Sequence, residues 1–163
     1  MRKIFCVYMI VLLFSQCANS QSVDSLSLYK RALVLISRDL EVDLQDVAVS
    51  GIAYDLDCFM FFRTVKNSSW EKTLIERQNN QSLDTYSSVL DKNFNKLSHH
   101  TEYSVFFSNI KDGIILAQIC KLQKNGKSLN YYSVINTALQ QYYYMFILNR
   151  KGKIKKTYRV KVD

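Results

Sequence analysis

The chain of 163 residues contains no proline and 4 glycines, where average usage would supply roughly 8 and 11. No segment can be collagen-like, proline-rich or a Gly/Ser linker. A cis-proline turn is impossible, which argues against a thioredoxin-like site. Gly51, Gly113, Gly126 and Gly152 are too scattered to build a phosphate-cradling loop or a nucleophile elbow. Histidine is scarcer still. His99 and His100 are the two in the chain, so any Ser–His or Cys–His device must use one of them. Neighbours on an extended chain point to opposite faces, which makes them a poor chelating pair. HExxH, CxxC and EF-hand patterns are missing. The sequence therefore nominates no catalytic, cofactor-binding or metal-ligating set, and no cofactor.

What is present begins with a leader-like segment. Arg2 and Lys3 precede an uncharged, mostly apolar run of 11 residues, 4–14, and Ala18-Asn19-Ser20 places small residues at −3 and −1 of a cut before Gln21. The run is too short to span a bilayer, which takes about 20 residues. The expectation is a signal peptide over 1–20 and a single domain over 21–163. Cys17 offers an alternative, a lipoprotein anchored through that cysteine, although Gln16 is larger than the residue a lipobox places there. Abundant Lys, Asn, Ile, Tyr and Phe favour a bacterial envelope protein, periplasmic or extracellular. A eukaryotic secreted ligand is the competing source, with Asn67 and Asn80 as glycosylation acceptors, but two remaining cysteines are few for that class.

The periodicities predict an α+β fold. Leu26, Tyr29, Leu33, Ile36 and Leu40 fall on one helical face over 23–40, with Ser22 or Asp24 as cap. Residues 46–53 and 57–65 read as strands, the second buried on both faces. Ser68-Ser69-Trp70-Glu71 is a capping-box pattern that opens a helix. A further helix carries Leu83, Tyr86, Leu90, Phe94 and Leu97 on one face. From Thr101 an antiparallel meander follows, turned at Asp112-Gly113, Asn125-Gly126 and Arg150-Lys151-Gly152. Residues 127–139 fit either a strand or a helical turn. The expected architecture is an N-terminal helix, two central helices and a four- to six-stranded antiparallel sheet, with the helices on one face.

Charge is the most informative feature. Without Arg2 and Lys3, 20 basic residues face 14 acidic ones. Residues 149–163 hold Arg150, Lys151, Lys153, Lys155, Lys156, Arg159 and Lys161 against Asp163, and so carry the whole excess. Alternation places Ile154, Tyr158, Val160 and Val162 on one face of the last strand, with Lys156 breaking it. Lys151, Lys153, Lys155, Arg159 and Lys161 then form a strip for an acidic envelope protein, a polyanion or an anionic lipid surface. The plainer account is protection of an edge strand against self-association. Nucleic acid is not an expected partner, because export removes it.

Three other features read two ways. Cys58 and Cys120 are a candidate disulfide or two buried thiols. Asp55 and Asp57 are a carboxylate pair or a turn cap. Tyr142-Tyr143-Tyr144 is core packing or an aromatic platform. The favoured function is a non-catalytic binding domain. The alternative is a small hydrolase or transferase that combines His99 or His100 with Asp55 or Asp57 and a tyrosine.

Overall fold

The computed structural model describes residues 25–66, 68–80, 86–89, 101–123 and 131–162, with the backbone alone of 86–89. The order is α1 (Ser25–Leu40), β1 (Val47–Tyr54), α2 (Phe62–Val65), α3 (Trp70–Asn79), β2 (Tyr86–Val89), β3 (Tyr103–Phe107), β4 (Ile114–Lys121), α4 (Tyr131–Thr137), β5 (Gln140–Leu148) and β6 (Ile154–Val162). The six strands form one sheet in the order β2-β1-β3-β4-β5-β6. The fold is α+β. All neighbouring strands are antiparallel except β1 and β3, which run parallel. A parallel pair needs a crossover connection, and the segment that joins these two carries α2, α3 and β2.

The helices do not share one face. Val105, Phe107, Ile115, Ala117, Ile119, Tyr144 and Phe146 pack with Leu28, Tyr29, Ala32 and Ile36 of α1. The alternate residues Phe106, Ile114, Leu116, Cys120, Met145 and Ile147 pack with Phe61, Val65, Leu74 and Val134 from the other helical segments. Successive strand residues point to opposite faces, so the sheet is the middle layer of three. Strand β4 is buried on both sides from Ile114 to Cys120. The buried stripe of α1 runs through Leu28, Tyr29, Ala32 and Ile36, rotated from the expected line through Leu26. Glu41 takes the left-handed conformation that ends α1 (φ 55°), and Val42 N–H reaches back to Ser37 O at 3.0 Å. The expected caps Ser22 and Asp24 lie outside the described residues.

Three further expectations are corrected or resolved. Residues 57–65 form no strand; Phe59–Phe61 and Phe62–Val65 are helical turns. Asp57 Oδ1 accepts from Phe59 N–H at 2.7 Å and Gln78 Oε1 accepts from Cys58 N–H at 3.2 Å, so side chains hold backbone donors that a ladder would otherwise use. Tyr86–Val89 is an edge strand against β1, where helical spacing predicted a helix; Leu83, Leu90, Phe94 and Leu97 lie outside the described residues. Tyr131–Thr137 is a helix, which resolves the ambiguity over 127–139. The helix expected after Ser68 is α3, but its N-cap is Ser69, which makes no side-chain cap bond, and Ser68 Oγ accepts from Trp70 N–H at 3.3 Å.

Two of the expected turns shape the sheet. Asp112 and Gly113 both have positive φ, 54° and 70°, and Lys111 and Ile114 exchange backbone hydrogen bonds across them at 3.1 and 2.9 Å, as a two-residue mirror-image turn requires. At the β5–β6 turn, Asn149 Oδ1 accepts from Lys151 N–H at 2.9 Å and Lys153 N–H at 3.0 Å, and Gly152 supplies the left-handed residue (φ 68°). The turn at Asn125-Gly126 lies outside the described residues. A bulge follows at the start of β6, where the register slips between Ile147 and Leu148. It sends Ile154 to the α1 side while Tyr158 and Val160 pack on the other. Lys156 therefore interrupts no apolar row that includes Ile154; its ammonium sits 4.4 Å from the Tyr158 ring centre.

Candidate functional site

The basic strip lies on an edge. Among the described residues strand β6 pairs with β5 alone, and Lys151, Lys153, Lys155, Lys156, Arg159 and Lys161 are all exposed. The expected set is not uniform. Arg159 is committed to Asp39 of α1, with Nη1 2.9 Å from Oδ2 and the two side chains 46% and 48% exposed. The same carboxylate oxygen accepts from the hydroxyl of Tyr144 at 2.6 Å. Tyr144 is 1% exposed, and burial followed by the Asp39 hydrogen bond pushes its phenol well above the usual range. A neutral, tightly held phenol donates a hydrogen bond and is a poor base or nucleophile near neutral pH. Leu35, Arg38, Asp39, Tyr144, Thr157 and Arg159 line an open cleft of about 420 Å³ between the end of α1 and β5–β6. Arg38 and Arg159 outweigh the single Asp39 charge there, so the cleft continues the cationic edge onto the α1 face.

The Asp39 junction makes an energetic prediction. Asp39→Ala removes the charged acceptor of the Tyr144 hydroxyl and is expected to destabilise by about 1–3 kcal/mol. Arg159→Ala removes a half-exposed ion pair and is expected to lose about 0–1 kcal/mol. Urea unfolding of both variants checks the order. Equal losses would mean that the phenol bond does not anchor α1.

Of the other nominated residues, those that the structure describes do not line this cleft. Cys58 and Cys120 are free, buried thiols within one core cluster. Cys58 Sγ donates to Gln78 Oε1 at 3.1 Å, and burial pushes the two thiols up to about 11 and about 12. Asp57 caps its turn. Among the described residues no three His, Cys, Asp or Glu side chains converge as metal ligands, and no helix is long and apolar enough to cross a membrane. His99 and His100, with the catalytic alternative built on them, lie outside the described residues.

The tyrosine run divides between faces, Tyr142 and Tyr144 toward α1 and Tyr143 away. Half-buried Tyr143 joins a polar network around the buried Gln118. Gln118 Nε2 donates to the Tyr143 hydroxyl at 2.8 Å and to Gln141 Oε1 at 2.9 Å, while Tyr131 donates to Gln118 Oε1 at 2.7 Å. These groups satisfy one another.

No family model, curated protein or solved structure matches the chain. Of the lining residues, the sequence singles out Arg159 and, in the tyrosine run, Tyr144, and misses Leu35, Arg38, Asp39 and Thr157. Asp39 meets Tyr144 and Arg159 across separations of 105 and 120 residues, and no local pattern encodes such a meeting.

Proposed function

We propose that the protein is an exported bacterial envelope protein whose domain binds an acidic partner without catalysis, using the cationic edge of β6 and the β5–β6 turn. The observation that carries this reading is the exposure of Lys151, Lys153 and Lys155 beside an edge strand that has no acidic residue. The turn holds the first two rigidly, because Asn149 fixes the Lys151 and Lys153 amides. The leader-like residues 1–20 support export. A neutral Tyr144 hydrogen-bonded to Asp39 supports a binding face more than a reactive one.

The test is the affinity for polyglutamate measured over a salt series. The wild-type chain is expected to bind and to weaken as salt rises. The triple variant Lys151→Ala, Lys153→Ala, Lys155→Ala is expected to bind about tenfold more weakly, three exposed pairs at roughly 0.5 kcal/mol each. Unchanged affinity would remove these lysines from the account and leave them as protection of the edge.

A further inference from the structure

Strand β6 is an unusual edge. The opposite edge, β2, is four residues long, which is one ordinary way to blunt a sheet. Strand β6 has nine residues. Its bulge disturbs the start alone: from Lys156 to Val162 the register with Ile147 to Gln141 is uninterrupted. Alternate residues of this seven-residue run turn their backbone donors and acceptors away from β5 and form a regular outer rim.

The side chains along that rim restrict what can pair with it. On the α1 side stand Thr157, Arg159 and Lys161; on the other stand Lys156, Tyr158, Val160 and Val162. Tyr158 and Val160 are half-buried, so an added strand would cover their remaining apolar surface. A second copy of β6 would set cations against cations, an unfavourable cross-strand pairing. An acidic strand reverses the sign of that term. Its carboxylates would lie toward the α1 side, against Lys161 and the Arg159 guanidinium that Asp39 already holds at 2.9 Å, and its apolar residues over Tyr158 and Val160.

We propose that β6 is a docking edge that takes up an extended acidic segment of a partner protein, alternating carboxylate and apolar residues, as a seventh strand of the sheet. This rests on the binding reading above and specifies its occupant. Main-chain hydrogen bonds supply affinity and the alternating side chains supply selectivity. The lysines serve both purposes, since they repel another β6 and attract the acidic segment.

The test uses fluorescence-labelled peptides and the full chain. The probe alternates glutamate and valine and is long enough to lie along 156–162. Two derivatives carry N-methyl groups on alternate amides, in one phase or the other. A strand pairs through alternate residues on each edge, so one derivative is expected to lose at least about tenfold in affinity while the other binds like the parent. Equal binding of both derivatives overturns sheet extension but leaves the charge reading standing. Binding of neither the parent peptide nor polyglutamate overturns both. Binding to phosphatidylglycerol vesicles with no binding of the parent peptide overturns the peptide occupant in favour of a lipid surface.

Discussion

Replacing Arg77 by lysine is expected to destabilise the protein by about 2–4 kcal/mol, although the charge is kept. Arg77 is 3% exposed. Burial lowers its pKa, and Cys58, Asp55, Asp112 and Tyr29 act on it in the opposite sense. Within the described residues no carboxylate forms an ion pair with it. The β3–β4 turn holds it instead: Nη2 donates to Ser108 Oγ at 3.0 Å and Asn109 O at 3.4 Å, and Nη1 donates to Lys111 O at 3.3 Å. A planar fork can reach acceptors spread along a loop, whereas an ammonium is a compact, strongly hydrated point. Lysine would keep the burial penalty and lose part of the bonding.

The residue that Arg77 grips explains why the effect is global. Ser108 N–H donates to Leu116 O and Leu116 N–H donates to Ser108 Oγ, both at 2.9 Å. Ser108 O accepts from the Tyr29 hydroxyl at 3.0 Å. Tyr29 belongs to α1 on one face of the sheet and Arg77 to α3 on the other, so one serine at the sheet margin ties both helical layers together. Arg77→Met keeps the apolar stem and discards the buried charge. It is expected to lose less, about 1–3 kcal/mol, because Ser108 still has Leu116 and Asn109 as partners. Urea midpoints at constant m-value give the comparison. A lysine variant as stable as wild type would show that the loop needs a charge and not a fork.

Local signals were legible and distant ones were not. The Asp112-Gly113 turn and the β5–β6 hairpin follow from residues within a few positions of one another. Residues 114–120 also carried a sign of the three-layer architecture. Ile114, Leu116 and Gln118 alternate with Ile115, Ala117 and Ile119, and neither set is charged; a strand with no solvated face is covered on both sides. The expectation of helices on one face passed over that sign. The apolar run 58–62 has strand composition, yet Gln78, 20 residues away, takes the Cys58 amide. The spacing of Leu83, Tyr86 and Leu90 fits a helix, and pairing with β1 overrides it at Tyr86–Val89. Periodicity reports how burial alternates along a chain and does not identify the partner. For the same reason the strip of Lys151, Lys153, Lys155, Arg159 and Lys161 was readable as charge, while the Asp39 bond that singles out Arg159 was not.

Alkaline pH is expected to unfold the protein cooperatively between about pH 10 and 12. The cause is a set of buried acids that stay neutral in the fold. Burial pushes Tyr29 and Tyr143 up to about 12 from 10.0, and Cys58 and Cys120 up to about 11 and about 12 from 9.0. Burial also raises Tyr131 and Tyr144. Each group has a folded pKa above its unfolded value, so its contribution is fully present below the unfolded pKa. Above that value the unfolded chain releases a proton that the folded chain retains, and stability falls until the folded pKa is passed. Each group removes about 1.4 kcal/mol per pH unit inside its window. The thiols begin near pH 9 and the phenols near pH 10, and their windows overlap above that. Together they can exhaust the roughly 5–15 kcal/mol of a typical domain within one or two units. The measurement is tyrosinate absorbance recorded with near-ultraviolet circular dichroism. The absorbance step of Tyr29, Tyr131, Tyr143 and Tyr144 is expected to coincide with the loss of dichroism, on top of the signal of exposed tyrosines such as Tyr132. Full ionisation of all the tyrosines while the dichroism is intact would mean that these four phenols meet water in the native fold, and the polar network around Gln118 would then have to be open to solvent.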